Sequence, residues 1–597
     1  MSGLLRLAHM LYCPYDIPST VRKGVYASMK KTIPIGVEFF DTLISKNLYY
    51  VDKTLFIKEL LDRWSAVTLI TRPRRFGKTL NMSMLECFFD VTADNRSLFE
   101  GLRIMEHTDI VEQYMNKHPV VFITLKDVEA PTYDDSIFML KDVMASTYFW
   151  HQYLLTSDKL NDGQKNDFNR VLLKNVTEAD LTVSLKRLME CLYIHHGNKK
   201  AFLLIDEYDA PINYAELKGF YPQMIEFMRG FFGKSMKSNK YLEFAVITGV
   251  QRIAKEGLFS ELNNLTVRGI IDDKFEECFG FTKDEVEAAC EYYDVKDSLD
   301  DIEKTYDGYR FGQKSLYNPW SIVNYLDSGR LEAYWVNTGS LSILENIFSK
   351  GSFALKSDME DLLLDIPVTM KLDQHITYPI DYDNTNLFWT LLYNAGYLKH
   401  QKDTPAGTSK AFKAELVNLE VKESFRLCIE RWMQRQPHGF SAALNEFLSA
   451  LLGGFPERIQ AALNDKLLQS LSYHDMIREN SFHMFTLGML QMVGDEYVIR
   501  SNRESGGGRA DCVMRPIDSR GKPDANRAAV VIEFKHAKPQ KGRKITKAAI
   551  DGQAAEALRQ IDEKGYAREL AAEGYGTVYQ YGIAFGGKFC VVKSPAG

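Results

Sequence analysis

No apolar run in this 597-residue chain approaches the ~20 residues that cross a bilayer, so a helical membrane span is not expected. The N-terminus lacks the continuous apolar core of a secretory signal, which argues against export. Eight cysteines, at 13, 87, 191, 278, 290, 428, 512 and 590, never fall into a C-x-x-C spacing. That scatter argues against a zinc knuckle or disulfide framework and for a reducing cytoplasm. A large net charge is lacking as well, the total being −6. It is unevenly spread: from Asp475 onward 19 Lys+Arg stand against 15 Asp+Glu, about +4, leaving about −10 for the rest. A mildly basic C-terminal unit on an acidic body permits nucleic-acid contact there without requiring it.

What is present is ample core material, 45% apolar and 12% aromatic, enough for three or four domains. Residues 67–79, VTLITRPRRFGKT, run from a short β-branched strand through a Pro/Arg turn into Gly77-Lys78-Thr79, which opens a helix expected over 78–90. Strand, loop and Gly-Lys-Thr in that order hold a nucleotide phosphate. Gly77 lets the backbone approach an anion, Lys78 reaches β- and γ-phosphate oxygens, and the Thr79 hydroxyl ligates Mg²⁺. Arg75, Phe76 and Leu80 complete the expected cofactor-binding stretch, where N–H groups at the helix start face the phosphates. One element of G-x-x-x-x-G-K-[ST] is missing, because Arg72 stands where the first glycine belongs. The plainer alternative is a basic loop before an ordinary helix.

A second stretch supplies the acids this chemistry needs. Residues 201–206, AFLLID, followed by Glu207, fit a strand buried on both faces whose carboxylates emerge at its carboxyl end. Asp206 is expected to hold Mg²⁺ with Thr79, and Glu207 to polarise the attacking water; a core strand running into a polar turn is the alternative. Further strands are expected at 119–127 and 243–249. Thr248 ends the latter as a γ-phosphate sensor or a simple turn former, and Arg252 follows as a charge stabiliser or a solvated surface arginine. A helical insertion over 134–197 and a helix over 212–235 fill the gaps, and parallel strands joined by helices imply a doubly wound α/β sheet.

Tyr50-Val51-Asp52-Lys53-Thr54, then RPRRFGKT, then LLIDEYDAP stand in the order of a known family. Over roughly residues 30–597 the chain resembles the bacterial AAA-ATPase-like proteins that carry a C-terminal PD-(D/E)XK nuclease-like domain. The resemblance implies ATP and Mg²⁺ as cofactors and a helical lid over 334–400. The expected organisation is an extension foreign to the fold at 1–28, with Met29 a plausible start, and a P-loop domain at 29–280. A helical lid region at 281–423, a helical connector at 424–470 and an α/β nuclease-like domain at 471–597 follow. Tyr309, Phe311, Tyr317 and Trp320 suggest a packed turn rather than a base-stacking platform.

The C-terminal constellation is independent of the first. Strands are expected at 498–503, at 510–514 with Asp511, and at 528–535 ending in Glu533-x-Lys535, with a glycine turn at 506–509. An acid on one strand and E-x-K on its hairpin neighbour gather two carboxylates and an ammonium at one edge. Asp511 and Glu533 can bind Mg²⁺ or Mn²⁺ through oxygen, while Lys535 steadies the charge of a phosphodiester transition state. A following helix with Gln560, Lys564 and Tyr566 resembles the PD-(D/E)XK fold, although Lys564 takes the tyrosine's place in its Gln-x-x-x-Tyr pattern. Glu479 matches the acid that the family's opening helix supplies, or is a solvated helix residue, and His483 is expected to be structural. The run Lys535, Lys538, Lys541, Arg543, Lys544 and Lys547 either tracks a DNA backbone or forms a solvated loop.

These readings converge on an ATP-binding, ATP-hydrolysing protein coupled to a metal-dependent nuclease-like domain acting on DNA, with RNA as the other polynucleotide. The alternative is a nucleotide-operated switch or scaffold whose nuclease-like domain is inactive and binds DNA or a protein partner. In a homo-oligomer a neighbour's arginine would act in trans at the ATPase site.

Overall fold

The computed structural model describes residues 30–253 and, beyond them, the chain outside 254–257, 260–261, 263, 296, 336–352, 364, 374–375, 377–383, 402–410, 435–439, 468–488, 491–492, 494–495, 502–510, 519–520, 538–544, 587–588 and 596–597. The expected extension at 1–28 lies outside the described residues.

Five short apolar runs form one parallel sheet: β1 (Val67–Thr71), β2 (Val120–Thr124), β3 (Ala201–Asp206), β4 (Leu242–Gly249) and β5 (Leu265–Arg268). Parallel neighbours require crossovers, and here helices supply them on both faces. The period of two sorts each strand's side chains between two cores. Leu69, Leu203, Ile205 and Ile247 join one core, and Ile70, Phe202, Leu204 and Val246 join the other. Each such side chain contributes roughly 1.5–3 kcal/mol by leaving water. The strand order is β2-β3-β4-β1-β5, so β4 lies between the Gly-Lys-Thr strand and the acidic strand. Pairing of Thr71 with Gly249 and of Ile205 with Ile247 brings the carboxyl ends of β1, β3 and β4 to one edge.

The insertion is helical as expected, over Tyr133–Trp150, Asp162–Leu172 and Glu178–His195. Thr132, Asn161 and Thr177 start these helices by accepting main-chain N–H groups that would otherwise be orphaned. The helix expected at 212–235 is two helices, Ala210–Lys218 and Tyr221–Met236, separated at Gly219.

The region after 281 departs from the helical expectation. It also contains a hairpin, β6 (Tyr309–Phe311) with β7 (Lys314–Leu316), and an antiparallel sheet of β8 (Val368–Met370), β9 (Leu398–His400) and β10 (Phe412–Leu416) in the order β8-β10-β9. Strands of three to five residues are too short for their alternation to stand out in sequence. Tyr309, Phe311 and Tyr317 are buried, in keeping with a packed turn, whereas Trp320 is only partly buried.

The C-terminal sheet is mixed, in the order β11 (Tyr497–Ser501), β12 (Cys512–Pro516), β13 (Ala529–His536), β14 (Val578–Gly586) and β15 (Phe589–Lys593). Only β13 and β14 are parallel, and the helix Lys547–Lys564 makes that crossover. The three expected strands lie within one or two residues of their places, while the turn at 506–509 is outside the described residues. Part of the expected connector packs against this sheet. Tyr581 donates its hydroxyl to the Leu451 carbonyl at 2.8 Å, and Val592 N–H donates to Gln460 at 3.0 Å. The seven described cysteines are buried and none is in a disulfide among the described residues. Among the described residues no helix is long and apolar enough to cross a membrane.

Candidate functional site

Gly77 begins the helix Lys78–Phe89 in the left-handed region, φ 77°, a conformation a side chain would strain. The loop before it opens into a cleft of about 450 Å³ lined by Arg74–Asn81, the lead-in residues Tyr49–Val51, Glu207, and Pro319 and Trp320. Behind the cleft wall the Thr79 hydroxyl donates to the buried Asp206 Oδ2 at 2.7 Å, and the buried Thr248 hydroxyl donates to Asp206 Oδ1 at 2.5 Å. One carboxylate thus joins the helix start, β3 and the end of β4. Lys78 is buried, with Nζ 3.1 Å from Glu207 Oε1 and donating to the carbonyls of Arg72 and Pro73 at 3.3 and 3.2 Å. Burial first, and then the charge of Glu207, raises the Asp206 carboxyl above the ordinary range.

Arg75 and Phe76 frame this cleft in different ways. The Arg75 guanidinium covers the Trp320 ring at 4.4 Å and lies 3.7 Å from Glu38. Phe76 turns its ring into the core against Tyr309 and Phe311, at 4.9 and 5.0 Å between centroids. Leu80 is partly buried and lines the cleft. Arg252 sits just past β4, where its carbonyl accepts the Ile376 N–H at 3.1 Å.

Arg72 explains the absent glycine. Its guanidinium is buried and donates to the carbonyls of Thr71, Arg268, Gly269, Lys274 and Phe275. It also lies over the rings of Phe279 and Phe311, at 5.5 and 4.8 Å. Burial pulls its pKa down to about 10, which leaves it cationic at neutral pH. The side chain therefore braces the turn at 268–275 instead of crowding the cleft.

The second constellation also assembles. Asp511 precedes β12, and Glu533 and Lys535 lie on the antiparallel neighbour β13. Asp511 N–H donates to Glu533 Oε2 at 3.2 Å, and Phe534 N–H donates to Asp511 Oδ2 at 2.8 Å. Lys535 Nζ donates to Gln560 Oε1 at 2.7 Å and lies 3.6 Å from Glu533 Oε1. Burial, then the Asp511 charge, pushes the Glu533 carboxyl up to about 7. Tyr566 is not on the Gln560 helix: that helix ends at Lys564, and Tyr566 opens the next, Tyr566–Ala572. Its hydroxyl is buried without a hydrogen-bond partner among the described residues. After burial, the charges of Glu533 and then Asp511 raise its pKa, to about 12, which ties it to this acid pair. Glu479, His483 and the basic residues at 538–544 lie outside the described residues.

Residues 34–259 match the family described as "Predicted AAA-ATPase", and residues 477–594 match the PD-(D/E)XK nuclease superfamily. The chain joins an AAA-ATPase-like segment to a PD-(D/E)XK nuclease-like one. Over 406 residues, 66% of this chain and 69% of the relative, it is 24% identical to an "Uncharacterized protein in vnfD 5'region" of Azotobacter chroococcum mcd 1.

In the AAA-ATPase-like segment the structure brings Lys78, Thr79, Asp206, Glu207 and Thr248 to one point, and it adds a residue the motif reading passed over. Asp209 is buried, and its carboxylate accepts the N–H groups of Val250 and Gln251 at 3.1 and 2.8 Å. Its signal was the third acid of DEYD, two residues beyond those read. Thr79 and Asp206 offer the oxygen pair that a hard divalent cation takes. In the nuclease-like segment, Asp511 and Glu533 offer another such pair. Among the described residues no group of three His, Cys, Asp or Glu side chains forms a metal cluster.

Proposed function

We propose that this chain binds and hydrolyses ATP at the cleft around Lys78, and that its C-terminal segment is a divalent-metal-dependent nuclease acting on DNA. The observation that carries the reading is the three-way bond of Asp206 to Thr79 and Thr248, with Lys78 and Glu207 beside it. The oxygen-only donor sets fit Mg²⁺ at both places, with Thr79 and Asp206 holding it at one, and Asp511 and Glu533 holding Mg²⁺ or Mn²⁺ at the other. When bound, the cation neutralises developing charge on phosphate oxygens.

The chain's own residues do the rest. Lys78 exchanges the Arg72 and Pro73 carbonyls for phosphate oxygens, and helix-start N–H groups of 77–80 complete the cradle. Glu207 orients and deprotonates the attacking water while Thr248 keeps Asp206 in place. At the second site Lys535, steered by Gln560, faces the phosphodiester and stabilises the charge that builds on it. The basic residues from Lys535 to Lys547 attract the polynucleotide backbone.

Full-length protein tested with Mg²⁺-ATP and with single- and double-stranded DNA and RNA decides the reading. Lys78→Ala should weaken ATP binding by about 100-fold, the scale of one lost charge-assisted contact to a phosphate. Asp511→Ala should abolish cleavage and leave ATP turnover intact. Tight nucleotide binding with no cleavage of any polynucleotide, with Mg²⁺ or Mn²⁺ and with or without ATP, would replace the nuclease by a nucleotide-operated scaffold.

A further inference from the structure

The segment that leaves β4 is held at Val250, Gln251 and Ile253 by two consecutive side chains that follow the acidic pair. Asp209 is 1% exposed, and its carboxylate accepts Val250 N–H, Gln251 N–H and, at 3.2 Å, Asn213 Nδ2. Tyr208 is fully buried; its hydroxyl donates to the Gln251 carbonyl at 2.7 Å and accepts Ile253 N–H at 3.2 Å. Gly249 lies under both. A Cβ there would stand 2.6 Å from Asp209 Oδ1 and from the Tyr208 ring, so only glycine lets the two side chains close over the strand end. One residue earlier, Thr248 makes its 2.5 Å bond to Asp206. On the far side Gln251 Nε2 donates to the Leu391 carbonyl at 3.2 Å, which docks the same segment on the helix Thr385–Asn394.

We propose that Asp209 is a positioning residue for the nucleotide site: by anchoring the exit of β4 it keeps the Thr248 hydroxyl on Asp206, opposite Thr79. β4 lies between the strands that carry Lys78's loop and Asp206, so the place of its last residues sets the spacing across the site. A carboxylate accepts several N–H groups at once, and it accepts them more strongly than an amide does. In Asp209→Asn the side chain keeps its size, but its NH₂ cannot accept. The charge that Val250 N–H, Gln251 N–H and Asn213 Nδ2 share at Oδ2 is then gone, and an NH₂ replaces Oδ1, which accepts Val250 N–H at 3.3 Å, so the anchor weakens and the strand end moves.

This proposal rests on ATP turnover at the cleft, as set out above. It is tested in the full chain by steady-state ATP hydrolysis, nucleotide binding and thermal melting side by side. A misplacement of about an ångström costs up to ~10²-fold in rate, so kcat of Asp209→Asn should fall at least ~10-fold while KM for ATP and the affinity for ADP stay within ~2-fold. Tyr208→Phe, which loses only the outer two bonds, should lower kcat ~3-fold in the same pattern, about one net hydrogen bond's worth. A kcat for Asp209→Asn equal to wild type overturns the proposal, as does a loss of binding that matches the loss of turnover. Should Asp209→Asn fail to fold, Tyr208→Phe decides: an unchanged kcat overturns the proposal, and a lower kcat at constant KM upholds it. A wild-type chain without ATPase activity removes the reading beneath the proposal, and the proposal with it. Normal wild-type turnover beside an unimpaired Asp209→Asn removes the proposal alone.

Discussion

The two acid clusters of this chain are built in opposite ways. Asp206 is gathered by partners from separate strands and a helix, with hydroxyls on both oxygens and Lys78 against Glu207 beside it. Asp511 and Glu533 are cross-strand neighbours, Glu533 accepting the Asp511 N–H and Asp511 the Phe534 N–H, and their lysine leans on the neutral Gln560. Tertiary packing sets the first arrangement and strand register sets the second. The first should therefore fail when packing is disturbed, and the second when charge is altered.

The largest expected effect probes packing. Arg72→Gly would restore the missing glycine of the motif, yet it strips five carbonyls of their donor and empties a buried volume. It should destabilise the AAA-ATPase-like segment by ~3–5 kcal/mol, read from denaturant unfolding, and abolish nucleotide binding. Equal or greater stability in Arg72→Gly would break the contrast between the two clusters.

A second test uses pH, because two buried groups, one in each segment, respond with opposite sign. Glu533 is raised from 4.5 to about 7, so it stays protonated in the fold while the unfolded chain ionises. Stability of the nuclease-like segment should fall as pH rises from about 4.5 to about 7 and then level off, by at most ~3 kcal/mol. His151, in the insertion, is lowered by burial and then by the His196 charge, from 6.5 to about 4. Its contribution is complete above pH 6.5 and is lost as pH falls toward 4, on a similar scale of ~3 kcal/mol. Calorimetry of wild type and Glu533→Gln across this range isolates the first contribution, because Glu86, raised to about 7 chiefly by burial, titrates with the same sign in the other segment. Glu533→Gln should remove the part of the loss with rising pH that this carboxyl contributes.

The smallest effect sharpens the second site. Gln560→Ala frees Lys535 from a single hydrogen bond to a neutral acceptor, worth ~1.5 kcal/mol, and should slow cleavage about tenfold without touching ATP turnover. Equal rates would mean that Lys535 needs no steering.

Much of this was legible in the sequence where the signal is local. The buried runs at 67–71 and 201–206, the Gly-Lys-Thr turn and E-x-K at 533–535 each announce themselves within a dozen residues. What depends on distant partners was not legible. Arg72 reads as a defect until the carbonyls at 268–275 arrive, nearly two hundred residues later. Asp209 reads as a polar turn until it meets the end of β4, some forty residues on. The position of β4 between β1 and β3 is topology, to which no stretch of sequence testifies alone. The three-residue strands after 309 fall below the length at which periodicity speaks, and a helix break at Gly565 separates Gln560 from Tyr566.

The alternation of β3 between two cores has a consequence for inheritance. Phe202, Leu204 and Asp206 share one side of the ribbon with the helix that bears Thr79, while Leu203 and Ile205 look the other way. Insertion or loss of a single residue ahead of Asp206 would trade greasy neighbours for equally greasy ones, yet swing the carboxylate to the wrong side of the sheet. Descendants of this gene can exchange one aliphatic for another along that segment, but they cannot change its length.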